Sequence, residues 1–300
     1  MQCRPSKAVP IALDHRHEPV DAGAGRERTD RRRAASGPAA LTILALIMGV
    51  ALGLPVVVLI GRAFVGGSLG AALGTPIVLD ALILSLATTG VSLLVTVAVG
   101  LPIATLLARG RRRGLSILEV IVDLPIVLPP AVAGLALLLL LGRRGVLGGP
   151  LEAVGLAIPF TTVAVVLAQT FVSAPFFIRS ARTGIAGVDH DLEDAARSDG
   201  ASEWSVLRSI TLPLAGPALA AGLVMSWARS LGEFGATIMF AGSIQGRTQT
   251  LPLVVYSEFQ GGSLDASIAA AAILVIAAFG ILLAVRALHW GRALDLRGLA

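Results

Sequence analysis

The sequence predicts an all-α integral membrane protein with six transmembrane helices. Composition is the first reason: 55% of the 300 residues are hydrophobic, 14% are charged and the mean hydropathy is +0.83, which is far too apolar for a soluble domain. The second reason is six apolar stretches, each long enough to cross a bilayer about 30 Å thick at about 1.5 Å per residue. The third is that no stretch alternates strictly over about ten residues, as a membrane β-barrel strand does.

The six spans follow a polar N-terminal segment. Residues 1–38 are rich in Arg, Asp and Gly, which predicts a disordered cytoplasmic tail; a translation start further downstream is the alternative. The charged region is too long for a signal peptide. The predicted spans cover 39–60, 81–108, 117–141, 156–178, 215–242 and 266–288, and a short cytoplasmic tail covers 289–300.

The distribution of Lys and Arg predicts which ends of the spans face the cytoplasm. With the N-terminus inside, 19 of the 24 basic residues lie on the cytoplasmic side, and Arg229 lies within the fifth span. The other four lie outside and are Arg62, Arg143, Arg144 and Arg247. This excess on one side predicts that both termini are cytoplasmic.

The sequence lacks the residues for several kinds of site. Cys3 is the only cysteine, so an intrachain disulfide and a thiolate metal cluster are excluded, and the four histidines show no convincing metal-ligand spacing. Lys7 is the only lysine, so a phosphate-binding loop of the form G-x-x-x-x-G-K-[ST] cannot form. The basic residues stand in short runs at span ends, so no nucleic-acid partner is expected. We expect no metal, no cofactor and no catalytic residue in this chain.

Prolines interrupt the second, third and fourth spans. Because proline frees a backbone carbonyl and kinks a helix, membrane helices tolerate it where protein or a water-filled cavity satisfies that group. The third span carries three of the five prolines, which predicts that it lines a pathway; a static packing kink is the alternative. These prolines are Pro102, Pro125, Pro129, Pro130 and Pro175.

A polar loop, residues 184–213, leads from the fourth span to the fifth on the predicted cytoplasmic side. Residues 191–197 predict a short helix, with acids early and Arg late as the helix dipole prefers. Gly200 ends this helix. An amphipathic piece, 203–210, follows, and Pro213 is predicted to open the fifth span. Two short helices joined at a glycine form a compact lever suited to docking.

The order of residues in this loop resembles the EAA loop of ABC importer permeases, whose pattern is E-A-A, three residues, G, nine residues and I-x-L-P. Here the acid of the pattern is Asp, directly preceded by Glu. In that family the loop sits in a cleft of the cytoplasmic ATPase subunit and transmits its closure. The resemblance therefore implies a type I ABC importer permease fold. The residues that it implies for coupling are Glu193, Asp194, Ala195, Ala196, Gly200, Ile210, Leu212 and Pro213.

Two further segments extend the resemblance to a substrate class. The third span reads DLPIVLPPAVAGLALLLLLGRRG, and the fifth span with its outer loop contains GEFGAT, then FAG, then T-x-T-L-P. Both segments are similar to the molybdate permeases of ABC importers, and the similarity covers residues 80–288. It implies a transmembrane domain over these residues and transport of molybdate, with sulfate and tungstate as alternatives.

The same resemblance implies partners. They are a second copy of the chain, two cytoplasmic ABC ATPase subunits that use ATP and Mg, and an extracytoplasmic molybdate-binding protein. The homodimer interface would form the translocation path. The chain itself would be a transport subunit and not an enzyme, embedded in the lipid of the bacterial plasma membrane.

Four residues are candidates for a pathway or gate. Arg229 and Glu233 are four positions apart and are expected to share one face of the fifth span. A charge near mid-bilayer costs at least about 2.5 kcal/mol, so it faces a partner or a watery interior. The pair either lines the pathway near a gate, together with Pro129 and Pro130, or forms a structural ion pair. Near the start of the third span, Glu119 and Asp123 are expected to pair with the arginines at 111–113.

Two functions of other classes compete with an ABC permease. An ion-coupled secondary transporter would show internal repeats and functional acids near the midplane, but no convincing repeat is present and Glu233 already has a candidate partner. A membrane-embedded enzyme is less well supported, because the chain has no metal motif, no nucleophile with a matched base and no intramembrane Asp pair.

Overall fold

The computed structural model describes residues 24–110 and 114–295, with side chains described from 41 to 283 except at 71 and 111–113. Every regular element in these ranges is a helix, which confirms the prediction of an all-α protein. The helices are α1 Ala24–Val65, α2 Ser68–Leu73, α3 Pro76–Arg109, α4 Leu115–Val127, α5 Pro130–Leu141, α6 Gly148–Ala153, α7 Thr162–Ala186, α8 His190–Ser198, α9 Glu203–Val206, α10 Leu212–Leu214, α11 Gly216–Leu231, α12 Gly235–Phe240, α13 Leu251–Gln260 and α14 Leu264–Asp295.

The chain divides into two compact units at Val57, and most of α1 forms the first of them. Helix α1 begins at Ala24, so residues 24–38, which were expected to be disordered, are helical. Alanine, arginine and glutamate in this stretch have favourable helix propensities and extend the apolar helix that follows. Residues 1–23 and 296–300 lie outside the described residues; α14 continues to Asp295, into the segment predicted as a tail.

The described residues contain up to six membrane spans. Four helical segments are long and apolar enough to cross a membrane, and two bent helix pairs bring the number to six if each pair is one span. The continuous segments are Leu41–Val65, Pro76–Arg109, Thr162–Ala186 and Leu264–Leu283. The number of six predicted spans therefore agrees with the structure, but two of them are not continuous helices.

The third predicted span is broken between α4 and α5, with a bend of 118°. The cause is local: Leu128 precedes a proline and has an extended backbone, and Pro129 and Pro130 cannot donate to the helix of α4. Leu118 of α4 packs in a cluster at the C-terminal end of α7, whereas Ala133 of α5 packs in a cluster at its N-terminal end. The two helices therefore pack against opposite ends of α7 and are joined by a sharp break.

The fifth predicted span is also divided. Its helix α11 begins at Gly216 rather than at Pro213, because the chain bends by 72° between α10 and α11. Helix α11 ends at Leu231, and a separate helix, α12, begins at Gly235. The expectation of one continuous helix over 215–242 was wrong, and the glycines at 232 and 235 mark the break.

Helices α3, α7 and α11 pack together through small residues. A Cβ atom on Gly222 of α11 would lie 2.8 Å from the Cβ of Ser180, and one on Gly184 of α7 would lie 2.4 Å from the Cβ of Ala218. Such close approach is typical of membrane helix pairs, which gain stability from van der Waals packing and interhelical hydrogen bonds. Helix α3 adds a buried stripe of hydroxyls along one face, formed by Ser85, Thr88, Thr89, Ser92 and Thr96.

We expect Gly222→Ala to destabilise the α7–α11 contact, since the new methyl group overlaps Ser180. Overpacking of this kind costs about 1–3 kcal/mol, measurable by SDS-induced unfolding of the purified chain in mixed micelles. Gly90→Ala in α3 is the matched control, because nothing lies within 4 Å of its added Cβ. Equal stability of the two variants would contradict this packing.

Candidate functional site

The polar loop at 184–213, called the EAA loop below after the motif that it resembles, contains two short helices joined at Gly200. Asp189 caps α8 by accepting a hydrogen bond from the amide of Asp191 at 3.0 Å, and Ser202 caps α9 by accepting one from the amide of Ser205 at 3.3 Å. Gly200 has φ of +90°, a backbone conformation that side chains rarely adopt. The predicted two-helix lever is therefore present, with its glycine at the turn.

Glu193 is the anchoring residue of this loop, and its side chain is 2% exposed. Its Oε1 accepts hydrogen bonds from Arg109, the last residue of α3, and from the hydroxyl of Thr211 at 2.5 Å. Arg109 also donates to the Thr211 hydroxyl at 2.7 Å. Because these residues come from the end of α3, from α8 and from the turn before α10, the three groups fasten both halves of the loop to a transmembrane helix.

Asp194, the acid that occupies the motif position, has a different environment. Its side chain is 70% exposed and accepts a hydrogen bond from Arg197 at 2.7 Å. Arg197 also donates to Glu203 at 2.7 Å, which joins α8 to α9 across Gly200. The hydrogen bond from Arg197 lowers the pKa of the Glu203 carboxyl below its usual value, and the pKa of Arg197 is raised by its hydrogen bonds to Glu203 and Asp194. The link is intact above the usual titration range of glutamate and is lost as the pH falls through the lowered pKa.

The second half of the motif forms an irregular helix. The residues 203–206 are α-helical, Leu207–Thr211 form a π-helical turn, and α10 follows. Ile210 and Leu212 are half-buried, whereas Pro213 is exposed and precedes the 72° bend. Of the remaining motif residues, Ala195 is exposed and Ala196 is half-buried.

Two large apolar side chains of the loop are exposed. Leu192 of α8 is 51% exposed, and Trp204 of α9 is 68% exposed. Both stand on a segment that is otherwise polar, so they are not explained by contact with lipid along a span. Exposed apolar residues rimmed by polar ones are typical of protein interaction surfaces. We use the name outer face for the three exposed side chains of Leu192, Asp194 and Trp204; Trp204 also lines a cavity of about 660 Å³ between the loop and α3.

A second set of ion pairs holds α4 against α7 at the same end of the spans. Asp123 pairs with Arg179 at 2.9 Å, and Glu119 pairs with Arg182. The two acids were expected to pair with the arginines at 111–113, which lie outside the described residues. The acids bind a neighbouring helix because α4 packs against the C-terminal part of α7.

The breaks in the third and fifth spans are in contact with each other. A Cβ atom on Gly235 would lie 2.8 Å from the Cβ of Pro130, and one on Gly134 would lie 2.5 Å from the carbonyl oxygen of Ala236. The start of α5 therefore lies directly on the start of α12. Pro130 belongs to this contact, Pro129 is the residue that caps α5, and both are exposed.

Arg229 and Glu233 form an ion pair, with Nη1 and Oε2 2.6 Å apart. They do not share a continuous helix as expected, because α11 ends at Leu231. The Glu233 side chain is fully buried and its Oε1 accepts a hydrogen bond from the amide of Ala236 at 2.6 Å. Glu233 thus joins the end of α11 to the first turn of α12, and it holds the break in a defined shape.

Sequence reasoning missed Arg109 and Thr211. Arg109 was counted only as part of a basic run at a span end, and Thr211 occupies the variable position of I-x-L-P. The importance of Arg109 could have been predicted from the sequence, since Arg109 is the basic residue closest to the apolar stretch of the second span. In the described part of the chain, no group of three or more His, Cys, Asp and Glu residues is placed to hold a metal ion.

Comparison with known proteins places this chain among transport proteins. Residues 97–290 match the family described as binding-protein-dependent transport system inner membrane component. The molybdenum transport system permease protein ModB of Mycobacterium tuberculosis is 45% identical over 213 residues, which are 71% of this chain and 80% of that protein. The protein of the same name from Escherichia coli K12 is 40% identical over 182 residues, or 60% of this chain and 80% of that protein.

A solved structure has a similar fold. It is a bacterial ABC transporter involved in the import of the acidic polysaccharide alginate, with a TM-score of 0.70. The match covers 89% of this chain and 99% of that chain at 20% sequence identity. A likeness at this identity establishes the fold alone.

We expect Glu193→Ala to destabilise the EAA loop far more than Asp194→Ala. Removing Glu193 leaves the partly buried Arg109 without its counter-charge, which costs about 3 kcal/mol, whereas an exposed pair contributes at most about 1 kcal/mol. Limited proteolysis of the loop and SDS-induced unfolding measure the difference. Equal effects at the two neighbouring acids would contradict the assignment of Glu193 as the anchor.

Proposed function

Since this chain belongs to the family of binding-protein-dependent transport system inner membrane components, we propose that it forms the translocation path of an ATP-driven importer for molybdate. The chain is a multi-pass protein of the bacterial plasma membrane and a transport subunit rather than an enzyme. The substrate assignment is supported by the identity of 40–45% to ModB proteins over most of their length and by the resemblance of the third and fifth spans.

The proposed mechanism rests on one observation, which is that the EAA loop is bound to the end of α3. Glu193 and Arg109 bind the loop to the end of α3, so a force applied to the loop reaches a helix that crosses the membrane. The outer face of the loop, with Leu192 and Trp204, is left exposed for a partner. We assign this partner as the cytoplasmic ATPase subunit, one for each EAA loop, which places residues 184–213 and both termini in the cytoplasm.

The complete importer would contain two copies of this chain. One chain supplies one EAA loop and one set of spans, and identical subunits most often pair by a twofold axis. The path for the anion then lies at the interface of the homodimer. Outside the membrane, a molybdate-binding protein would deliver the anion. ATP and Mg would be bound by the ATPase subunits.

The two broken spans are suited to act as the gate. Helices α5 and α12 meet at Pro130 and Gly235, and each is separated from the rest of its span by a short non-helical segment. Such breaks allow a short helix to rotate while the longer helix keeps its packing. In this assignment the pair of Arg229 and Glu233 sets the geometry of the fifth span at the gate, and it does not bind the anion.

Uptake by the reconstituted importer tests the substrate. We expect proteoliposomes with two copies of this chain, its ATPase and its binding protein to take up molybdate in an ATP-dependent manner, with tungstate competing better than sulfate. Uptake of sulfate alone would contradict the substrate, and uptake that persists without the ATPase but collapses with an uncoupler would indicate a secondary transporter.

We expect substitution of the outer face to weaken binding of the ATPase subunit. Leu192→Ser and Trp204→Ser each remove an apolar side chain from the proposed interface, and we expect the larger loss, above about 1 kcal/mol or fivefold in Kd, at Trp204, because Trp is enriched among the interface residues that carry most of the binding energy. Binding of the ATPase subunit to the purified permease measures this effect. Val146→Ser is the matched control, since Val146 is 79% exposed and lies in the loop after α5. An unchanged Kd in both loop variants would refute the assigned docking face.

A further inference from the structure

A cavity of about 390 Å³ lies at the end of α7 opposite the EAA loop. Helix α7 has 25 residues and is about 37 Å long, so the cavity and the loop lie on opposite sides of the membrane. The cavity is lined by Arg143, which follows α5, by Arg247, which lies between α12 and α13, and by Thr161, which caps α7. Phe160 and Leu138 supply its apolar wall.

The charge in this cavity is of one sign. Two of its lining residues are arginines, and no acidic residue lines it. Among the side chains that the structure describes, neither guanidinium has a carboxylate within ion-pair distance. By contrast, Arg109, Arg179 and Arg182, which lie at span ends on the EAA-loop side, each have such a partner. The cavity therefore offers two uncompensated positive charges to an anion.

The backbone of Arg247 is held in place by hydrogen bonds of its loop. Its backbone carbonyl accepts a hydrogen bond from the hydroxyl of Thr162 at 2.9 Å, which binds its loop to the first turn of α7. The next residue, Thr248, is buried, and its hydroxyl accepts a hydrogen bond from the amide of Ile244 at 2.9 Å. A loop held in this way fixes the backbone of Arg247 beside the cavity, so the ordering that occurs on binding is mainly that of its side chain.

We propose that Arg143 and Arg247 form an external acceptor site for a tetrahedral oxyanion on its way from the binding protein into the path. This inference rests on the proposed function, because it takes the same anion as its ligand. Guanidinium groups bind oxyanions through directed N–H donors. The N-terminus of α7 adds positive potential of the same sign. Both arginines are exposed, so the site attracts and orients the anion without holding it tightly, as transit requires.

The alternative occupant is an acidic surface of the binding protein itself. A concave site with an aromatic wall and two arginines in its lining favours a small anion over a protein surface, which would need exposed residues on a protruding face. If the site binds the anion, substitution of the arginines leaves the affinity for the binding protein unchanged. If it binds the binding protein, the same substitutions weaken that affinity.

The test compares Arg143→Gln, Arg247→Gln and the double variant with the wild type in the fully reconstituted importer. Initial rates of molybdate uptake are measured at a saturating concentration of loaded binding protein and normalised to assembled complex. The affinity of the complex for the binding protein is measured separately. Arg144→Gln is the matched control, because this neighbouring exposed arginine does not line the cavity.

We expect a fall in uptake of up to about fivefold for each single substitution, a larger fall for the double variant, and partial rescue by Arg→Lys at both positions. Affinity for the binding protein and the rate of the Arg144→Gln control should stay unchanged. Unchanged uptake in the double variant would overturn the acceptor site, as would a loss of uptake that merely follows a loss of binding-protein affinity. If the wild type transports sulfate or tungstate and not molybdate, the substrate assignment fails, and the same comparison with that anion still decides the role of the two arginines.

Discussion

The carboxylate of Glu193 is desolvated at the end of α3, where it accepts hydrogen bonds from Arg109 and Thr211. A buried carboxylate is unfavourable without such partners, so the loop and the helix end are stable only in this mutual arrangement. Arg197 then joins the two halves of the loop through Asp194 and Glu203. The result is a rigid lever whose inner side is bound to a transmembrane helix and whose outer face is free.

The broken spans contain the two short helices, α5 and α12, that we propose to move relative to the rest of the structure. Proline at 129 and 130 ends α4, and glycine at 232 and 235 separates α11 from α12. These breaks would leave polar backbone groups unsatisfied in lipid, but α5 and α12 cover one another at a distance that only Gly134 and Gly235 permit. Glu233 compensates further by accepting a hydrogen bond from the backbone at the start of α12. The third and fifth spans thus each contain a break, whereas α3 and α7 are continuous helices.

Helix α7 connects these parts because it contacts all of them. Its C-terminal half packs with the end of α3 and carries the arginines that hold α4, and its N-terminal half packs with α5 and α12. A displacement of the EAA loop together with the end of α3 would therefore be transmitted along α7, which ends beside the proposed gate and beside the cavity with Arg143 and Arg247. Such coupling through packed rigid helices agrees with a two-state transport cycle.

The sequence by itself determined the all-helical membrane class, the number of spans and the EAA loop, because hydrophobicity, basic-residue distribution and a spaced motif are local properties. It also located the candidate gate residues, since proline and glycine mark breaks wherever they occur. Only the tertiary structure decided that Glu193 rather than Asp194 is the buried acid, because burial depends on where the end of α3 lies. The contact of Pro130 with Gly235 likewise follows from packing between segments over a hundred residues apart. The prolines at 129 and 130 mark the break in the third span in the sequence, but the angle of 118° is read only from the structure. Neighbouring acids in a sequence look alike, and the helix that packs against them decides which one is desolvated.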